Sequence, residues 1–336
     1  MFRRVLSAAV LLAVAAVLVI ALWPQLIGLE RSPVIAQVVS LRGTVVVIAA
    51  ALVVGFTLIA LFSPRLRRFT ASLALLLLVF CAVNVAVLAT RGAGGGSFQT
   101  AAPGDVIVLS WNTLGDAPGA EAIADLAIEV DADVVVLPET SAETAGIVAA
   151  ILSEAGHPMQ ALHLSLDEIS KARTTSVLIG SDLGEYRRDD SAGTTDTLPS
   201  VLAVPVDGTG PRIVAAHPVA PIPGEMAAWR QGLQWLADRC AGQNVILAGD
   251  LNSTLDHYTG MGTDDGELGR CQDAARETGV AAVGTWPAVL PPLLGAPIDH
   301  VMATPDWEIV GFRVIGSRDG DGSDHRPVVA ELRPAS

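Results

Sequence analysis

The sequence is poor in lysine, in cysteine and, past its first hundred residues, in basic side chains. It contains one lysine, Lys171, and three cysteines in 336 residues, and no C-x-x-C spacing that would indicate a structural zinc site. Eight arginines and one acid, Glu30, lie in residues 1–100, which leaves 13 basic and 34 acidic residues in the remainder, a net charge of −21. A long nucleic-acid groove needs a basic surface and is therefore disfavoured.

Charged residues are also missing from three stretches, residues 5–29, 43–64 and 69–90, which are 25, 22 and 22 residues long. A helix needs about 20 apolar residues to cross the hydrocarbon core, so the pattern predicts three membrane spans at about 5–27, 43–64 and 69–90. A cleaved signal peptide is the alternative for the first, but the stretch is too long and lacks a small-residue cleavage site. The spans contain no acid and no histidine, which favours anchoring over transport.

Arginines set the expected orientation. They precede the first span and separate the second from the third, whereas the connection between the first two spans has two arginines offset by Glu30. The positive-inside rule then predicts a multi-pass plasma-membrane protein with a cytoplasmic N-terminus and everything after Thr90 outside the cell. The arginines that favour this orientation are Arg3, Arg4, Arg65, Arg67 and Arg68.

A glycine-rich segment, residues 91–104, is predicted to link the spans to a domain at 105–334. In that domain short β-branched runs alternate with amphipathic segments, which is typical of an α/β fold. Helical spacing of apolar residues occurs at 123–130 and 226–236. The predicted strands are 106–109, 134–137, 176–179, 201–206, 213–216, 245–248, 300–303 and 328–332.

Cys240 and Cys271 both fall in the predicted outer domain, and exported domains can hold disulfides. Closing a loop of this length stabilises a fold by roughly 3–4 kcal/mol. We expect the bridge, with two unpaired buried thiols as the alternative.

Polar side chains occur next to the ends of most predicted strands, where functional loops of α/β proteins gather. Oxygen-bearing residues of this kind suit Mg²⁺, Mn²⁺ or Ca²⁺, and an imidazole beside a carboxylate suits proton transfer. Together they favour phosphoester chemistry. Singly, Glu139 could be a helix cap, and Asp250 with Asn252 could form an Asx turn. The residues concerned are Asn112, Glu139, His217, Asp250, Asn252, Asp299, Asp324 and His325.

Six strings carry a resemblance: SWNTLG, VVVLPET, AAHPVAP, ILAGDLNST, PIDHVMA and GSDHRPVV. In this order they resemble the endonuclease/exonuclease/phosphatase superfamily, the deoxyribonuclease-I-like fold. The resemblance implies a four-layer α/β/β/α sandwich, two packed mixed sheets with outer helices. It also implies a divalent-metal-dependent phosphoester hydrolase.

The resemblance assigns a metal-binding role to Glu139, Asn112 and Asp324, with Asn112 also near the phosphate. Asp250 matches the aspartate that orients or deprotonates the attacking water, and Asn252 its phosphate-binding neighbour.

His217 matches a histidine that contacts the scissile phosphate, and Asp299 the acid that holds the catalytic His325. In some nucleases of this family a glutamate supports the first histidine from the strand near Ser176. Residues 172–176 offer no acid here, so the role of His217 as general acid is open. Trp286 is expected either to line the substrate cleft or to pack in the core.

The resemblance does not choose a substrate, because members of the superfamily act on nucleic acids, phospholipids and small phosphoesters. Nucleic acid, nucleotides and lipid headgroups stay open. The alternative function is an inactive ectodomain of the same fold that binds a partner; degeneration of this kind should delete ligands, and none of the motif residues is missing.

Overall fold

The structure is a computed structural model that describes residues 2–94, 98, 102–167 and 169–335. The described part of residues 2–94 contains three long apolar helices, with a 3-10 turn (Pro24–Ile27) and one short α-helix between the first two. The long helices have mean hydropathies of 3.0, 3.0 and 2.7, and by length and composition each could cross a membrane. These helices are α1 (Phe2–Leu22), α2 (Ile35–Ser40), α3 (Arg42–Phe62) and α4 (Arg67–Arg91).

The apolar helices bury little of their surface against each other. No residue of α1 is buried, and α3 and α4 pack through a small cluster that includes Ala49, Leu77 and Phe80. Most of their leucines and valines stay exposed. Because water would make such exposure unfavourable, these helices suit association with a membrane.

The rest of the chain forms two six-stranded mixed sheets. In the first sheet the strand order is β11-β12-β1-β2-β4-β3, and only β1 and β2 are parallel. Its strands are β1 (Val106–Ser110), β2 (Val134–Pro138), β3 (Met159–Ser165), β4 (Thr174–Gly180), β11 (Trp307–Val314) and β12 (Val328–Pro334).

The second sheet has the order β5-β6-β7-β8-β10-β9, with only β7 and β8 parallel. Its strands are β5 (Tyr186–Arg188), β6 (Val201–Pro205), β7 (Arg212–Ala216), β8 (Val245–Asp250), β9 (Gln272–Asp273) and β10 (Asp299–Ala303). Each parallel pair is connected by a helix, as a parallel crossover requires.

The two sheets pack face to face over one apolar core, which contains Val108, Val136, Ile213 and Ile246. Helices cover the outer faces, two over the first sheet and one over the second. This is the four-layer sandwich expected from the resemblance. The covering helices are α5 (Gly119–Glu129) and α6 (Ala142–Glu154) over the first sheet and α7 (Met226–Arg239) over the second; the short α8 (Ala274–Glu277) packs Ala274 and Ala275 into the core between the sheets.

All eight predicted strands are present, with ends shifted by one or two residues. The strands β3, β5, β9 and β11 were not predicted from the sequence. Two are very short, and half-buried β3 carries His163 and Ser165 where a core strand would be apolar. Short or mixed-polarity strands give little periodic signal.

Cys240 and Cys271 form a disulfide with a Cα–Cα distance of 5.4 Å, as expected. Both are fully buried beneath α7. The bridge ties the end of that helix to the loop before β9.

The first residues of the predicted linker are hydrogen-bonded to the two-sheet domain. The Arg91 and Gly92 carbonyls accept hydrogen bonds from the Ala281 and Ala282 amides, and the Gly94 amide donates to the Gly279 carbonyl. The predicted tether residues 95–97 and 99–101 lie outside the described residues. Residues 91–94 therefore join α4 to the two-sheet domain through backbone hydrogen bonds.

Candidate active site

The functional side chains meet at one edge of the sandwich because of strand direction. Asn112, Glu139, His217 and Asp250 stand at the carboxyl ends of the two parallel pairs. β10 and β12 run antiparallel to β8 and β1, so their first residues come to the same edge; Asp299 lies opposite Asp250 in the sheet register. A cavity of about 350 Å³ opens there.

Asn112 connects two carboxylates from different sheets. Its Nδ2 donates to Glu139 Oε1 at 3.1 Å and to Asp250 Oδ2 at 3.0 Å, while its Oδ1 accepts from the Leu114 amide. Glu139 has a positive φ of 58°, and its amide donates to the Thr174 carbonyl. This strained turn aims the Glu139 carboxylate across the edge toward the second sheet.

Asn252 supports Asp250. Its backbone amide donates to Asp250 Oδ1, and its Nδ2 donates to Asp250 Oδ2 and to the Pro218 carbonyl. Both side-chain protons are thus used within the protein. As oriented, Asn252 positions Asp250, and its predicted contact with phosphate stays a prediction.

His325 and Asp299 form a buried pair, with Nδ1 donating to Oδ2 over 2.9 Å. The other ring nitrogen faces the cavity, 3.8 Å from Asp250 Oδ2 and 3.9 Å from Asp324 Oδ1. Burial lowers the pKa of His325, but the charges of Asp299 and Asp250 outweigh burial and raise the pKa overall. The structure therefore favours an imidazolium that points at the space between the carboxylates.

His217 is fully buried and is held by Thr175 instead of an acid. The Thr175 hydroxyl donates to the Pro199 carbonyl at 2.6 Å, so its 3.4 Å contact with His217 Nδ1 is favourable when that nitrogen carries the proton. Burial lowers the pKa of His217 to about 3. His217 is thus neutral, and its Nε2, 3.8 Å from Glu139 Oε1, has no hydrogen-bond partner among the described residues.

Asp324 and Trp286 form the opposite wall of the cavity. Trp286 Nε1 donates to Asp324 Oδ2 at 2.8 Å, and both side chains line the cavity. Of the two alternatives for Trp286, the cavity wall is the one observed. Asp324 lies near His325, and its charge reaches Glu139, where it adds to the effect of burial in raising that pKa.

The donors present fit a hard divalent cation. Burial raises the pKa of both Glu139 and Asp250, and no lysine or arginine lines the cavity in the described part of the chain to compensate their charge. A cation between these oxygens would lower both pKa values. Asn112 would contribute its Oδ1 only if its amide turned over.

Judged by distance alone, Asp250, Asp299 and His325 could also hold a metal ion, because one ligand atom from each lies within 4.8 Å of the others. Asp299 Oδ2 and His325 Nδ1 already share a hydrogen bond, and Mg²⁺ or Ca²⁺ prefers oxygen over imidazole. The cation position that the motifs predict, at Glu139, stays a prediction.

Several supporting residues were missed from the sequence. Ser323 Oγ donates to the Asn112 carbonyl and accepts from the His325 amide, while Thr285 Oγ1 accepts from the Asp299 amide. Gln37 and Leu41, at α2, also line the cavity. Ser323 lies within a quoted motif, but nothing in the sequence connects residues 37–41 with a site more than 70 residues away.

The comparison with known families decides the assignment. The chain matches the Endonuclease/Exonuclease/phosphatase family over residues 109–325. It belongs to this family. The chain is accordingly a metal-dependent phosphoester hydrolase by family, and the matched range begins in β1 and ends at His325.

Solved structures agree on the fold. An endonuclease/exonuclease/phosphatase family protein from Bacteroides thetaiotaomicron is 17% identical, with a TM-score of 0.50 over 69% of this chain and 98% of that chain. D. rerio TDP2 complexed with single strand DNA product is 15% identical, with a TM-score of 0.50 over 68% and 99%. Humanized D. rerio TDP2 is 16% identical, with the same score and coverage. No curated protein sequence matches the chain.

Proposed function

We propose that this chain is a membrane-anchored phosphoester hydrolase whose catalytic domain, residues 105–334, lies outside the cell. The N-terminal helices anchor it in the plasma membrane with a cytoplasmic N-terminus. The three apolar helices and the arginine distribution support this arrangement.

The observation that carries the proposal is the meeting of Glu139, Asn112 and Asp250 with the His325–Asp299 pair in one cavity. Glu139 and Asp324, with Asn112, would hold a divalent cation; Mg²⁺ is our first choice, and Mn²⁺ and Ca²⁺ are alternatives. When bound, the cation supplies positive charge to a phosphate oxygen.

The side chains divide the remaining work. Asp250, held by Asn252, orients the attacking water and accepts its proton. His325, fixed by Asp299, faces the phosphate with a positive charge that offsets the negative charge developing on it. His217 lies beside Glu139 as a neutral imidazole whose Nε2 can accept a hydrogen bond, which supports a hydrogen-bonding role over that of a general acid.

The proposal is tested by measuring hydrolysis by the full-length protein in detergent. The substrates are DNA, RNA, phosphoinositide, sphingomyelin and a generic phosphodiester. Each substrate is assayed with Mg²⁺, Mn²⁺, Ca²⁺ or EDTA. We expect hydrolysis of at least one substrate that EDTA abolishes and that Asp250→Asn lowers by about 10³-fold or more. Asp238→Asn, an exposed position on α7, is the matched control and should behave as wild type. Equal inertness of wild type and Asp250→Asn on the whole panel would favour the inactive, partner-binding alternative.

A further inference from the structure

The catalytic cavity has one wall that comes from the membrane-proximal part of the chain. Gln37, Ser40 and Leu41 line it on the side facing α2. The α2 helix is held there by the Gln37 side chain, which donates to the Pro221 carbonyl, and by Ala36, whose carbonyl lies 3.2 Å from His257 Nε2. Ala36 is fully buried in the core beneath α7, so α2 is an integral part of the site.

A second, larger cavity of about 880 Å³ continues from the first as an apolar groove. The two cavities share Gln37, Leu41, Pro221 and Ile222. From this shared wall the groove runs between α2 and α7. We call it the α2–α7 groove; it ends on the first two turns of α3 at Thr44, Val45 and Ile48.

The lining of the groove is unsuited to a polar ligand. Among the residues that the structure describes, it contains no acid and one charged residue, Arg230; most of the remainder is aliphatic or proline. Large apolar side chains stand open on it: Val34 is 69% exposed, Ile48 56% and Ile222 51%. A contiguous apolar surface that joins an active site is a mark of an apolar ligand.

The position of the groove relative to the apolar helices identifies the source of that ligand. Ile48 lies six residues into α3, roughly 9 Å from the start of the helix at 1.5 Å per residue. Because the predicted span begins at residue 43, this part of the groove belongs to the outer end of the span, next to the boundary between headgroups and hydrocarbon. The groove therefore leads from the edge of the predicted span to the catalytic carboxylates.

We propose that the substrate is a bilayer phospholipid or other long-chain phosphoester, whose phosphate enters the catalytic cavity while its hydrocarbon chain lies in the α2–α7 groove. This rests on the proposed phosphoesterase function. Water adds its oxygen to phosphorus, the bond from phosphorus to the leaving oxygen breaks, and that oxygen takes up a proton. Among the described residues no lysine or arginine lines the catalytic cavity, where it could hold a second phosphate, which favours this substrate over a polynucleotide.

The test uses full-length protein in vesicles or nanodiscs and two substrate series with methyl, octyl or dodecyl chains. Alkyl p-nitrophenyl phosphodiesters report diesterase activity, and alkyl phosphates report monoesterase activity. We expect kcat/KM to rise at least tenfold from methyl to dodecyl in one series. Because long chains also concentrate in the bilayer, variants must separate groove binding from partitioning.

Ala227→Trp fills the groove from an exposed position on α7, and Ala150→Trp places the same side chain on α6, away from the groove. The dodecyl-to-methyl ratio of kcat/KM should fall about tenfold in the first variant and match wild type in the second. An unchanged ratio in Ala227→Trp, or hydrolysis without any chain-length preference, overturns this inference and leaves the phosphoesterase function standing. Absence of metal-dependent hydrolysis in both series, together with inertness on the substrate panel above, overturns the function itself.

Discussion

The Arg42 guanidinium donates two hydrogen bonds to the Asp256 carboxylate, from Nη2 to Oδ1 at 2.6 Å and from Nε to Oδ2 at 3.0 Å. Both side chains are almost completely buried. Arg91, at the end of α4, adds a third contact at 2.9 Å. The same carboxylate thus joins the start of α3 and the end of α4 to the domain that carries the active site.

Asp256→Asn should destabilise the attachment by about 3 kcal/mol, because it leaves Arg42 buried without a counter-charge. Thermal unfolding in detergent at pH 7 measures the loss. Burial alone would raise the pKa of Asp256, but Arg42 and Arg91 lower it below its ordinary value of 3.8. The stabilisation is therefore present above pH 4 and is lost as pH falls further, so wild type and variant should converge in acid.

The exposed Asp207→Asn serves as the control and should unfold like wild type at both pH values. A difference between wild type and Asp256→Asn that persists unchanged in acid would contradict an electrostatic origin.

Asp299→Asn should lower the pKa of His325, since it removes the carboxylate 2.9 Å from Nδ1. In a plot of kcat/KM against pH, the inflection that reports the pKa of His325 should then move to lower pH by about one unit or more. The shift to lower pH is expected whether the charged or the neutral form of His325 is the active one, because in both cases the activity changes at the pKa of His325.

Asp273→Asn is a matched control, because Asp273 holds His300 at 2.6 Å on the other face of β10. It should lower the melting temperature and leave the pH profile in place. A profile that moves equally in both variants would exclude His325 as the group responsible.

His217→Gln should keep kcat within about tenfold of wild type, whereas His217→Ala should lose about 10²-fold or more. Glutamine retains a hydrogen-bonding group but cannot transfer a proton. The reason is that burial lowers the pKa of His217 to about 3, so its neutral ring has no acidic proton to give at working pH. Equal losses in the two variants would instead indicate acid catalysis by His217; His163→Gln, on β3, controls for general effects.

Membrane orientation is measurable by thiol labelling in intact cells. Cys81 is buried and the other two cysteines are bonded, so the background should be low. Ile169→Cys, at a position 95% exposed in the catalytic half, should react with a membrane-impermeant maleimide. Leu66→Cys, between α3 and α4, should react only after permeabilisation. The reverse pattern would place the catalytic domain in the cytoplasm.

Much of the site could be predicted from sequence because its parts are local strings at strand ends. Gly-Asp-Leu-Asn places Asp250 and Asn252 on one turn, and strand direction then brings Asp299 opposite Asp250. The hydrogen bonds were not predictable in the same way. Asn252 donates both of its amide protons to protein acceptors, and Thr175 contacts His217. Both arrangements depend on groups that other parts of the chain bring next to these side chains.

The sequence by itself determined the three apolar helices, the eight main strands and the family, because these depend on uninterrupted hydropathy and on short motifs. Only the tertiary structure decided that α2 closes the catalytic cavity and that Arg42 is neutralised by Asp256. Those contacts join residues more than 180 positions apart, and no periodicity or spacing encodes such a pairing. They arise because burying a charge requires a partner, and the fold alone determines which residue lies close enough to serve.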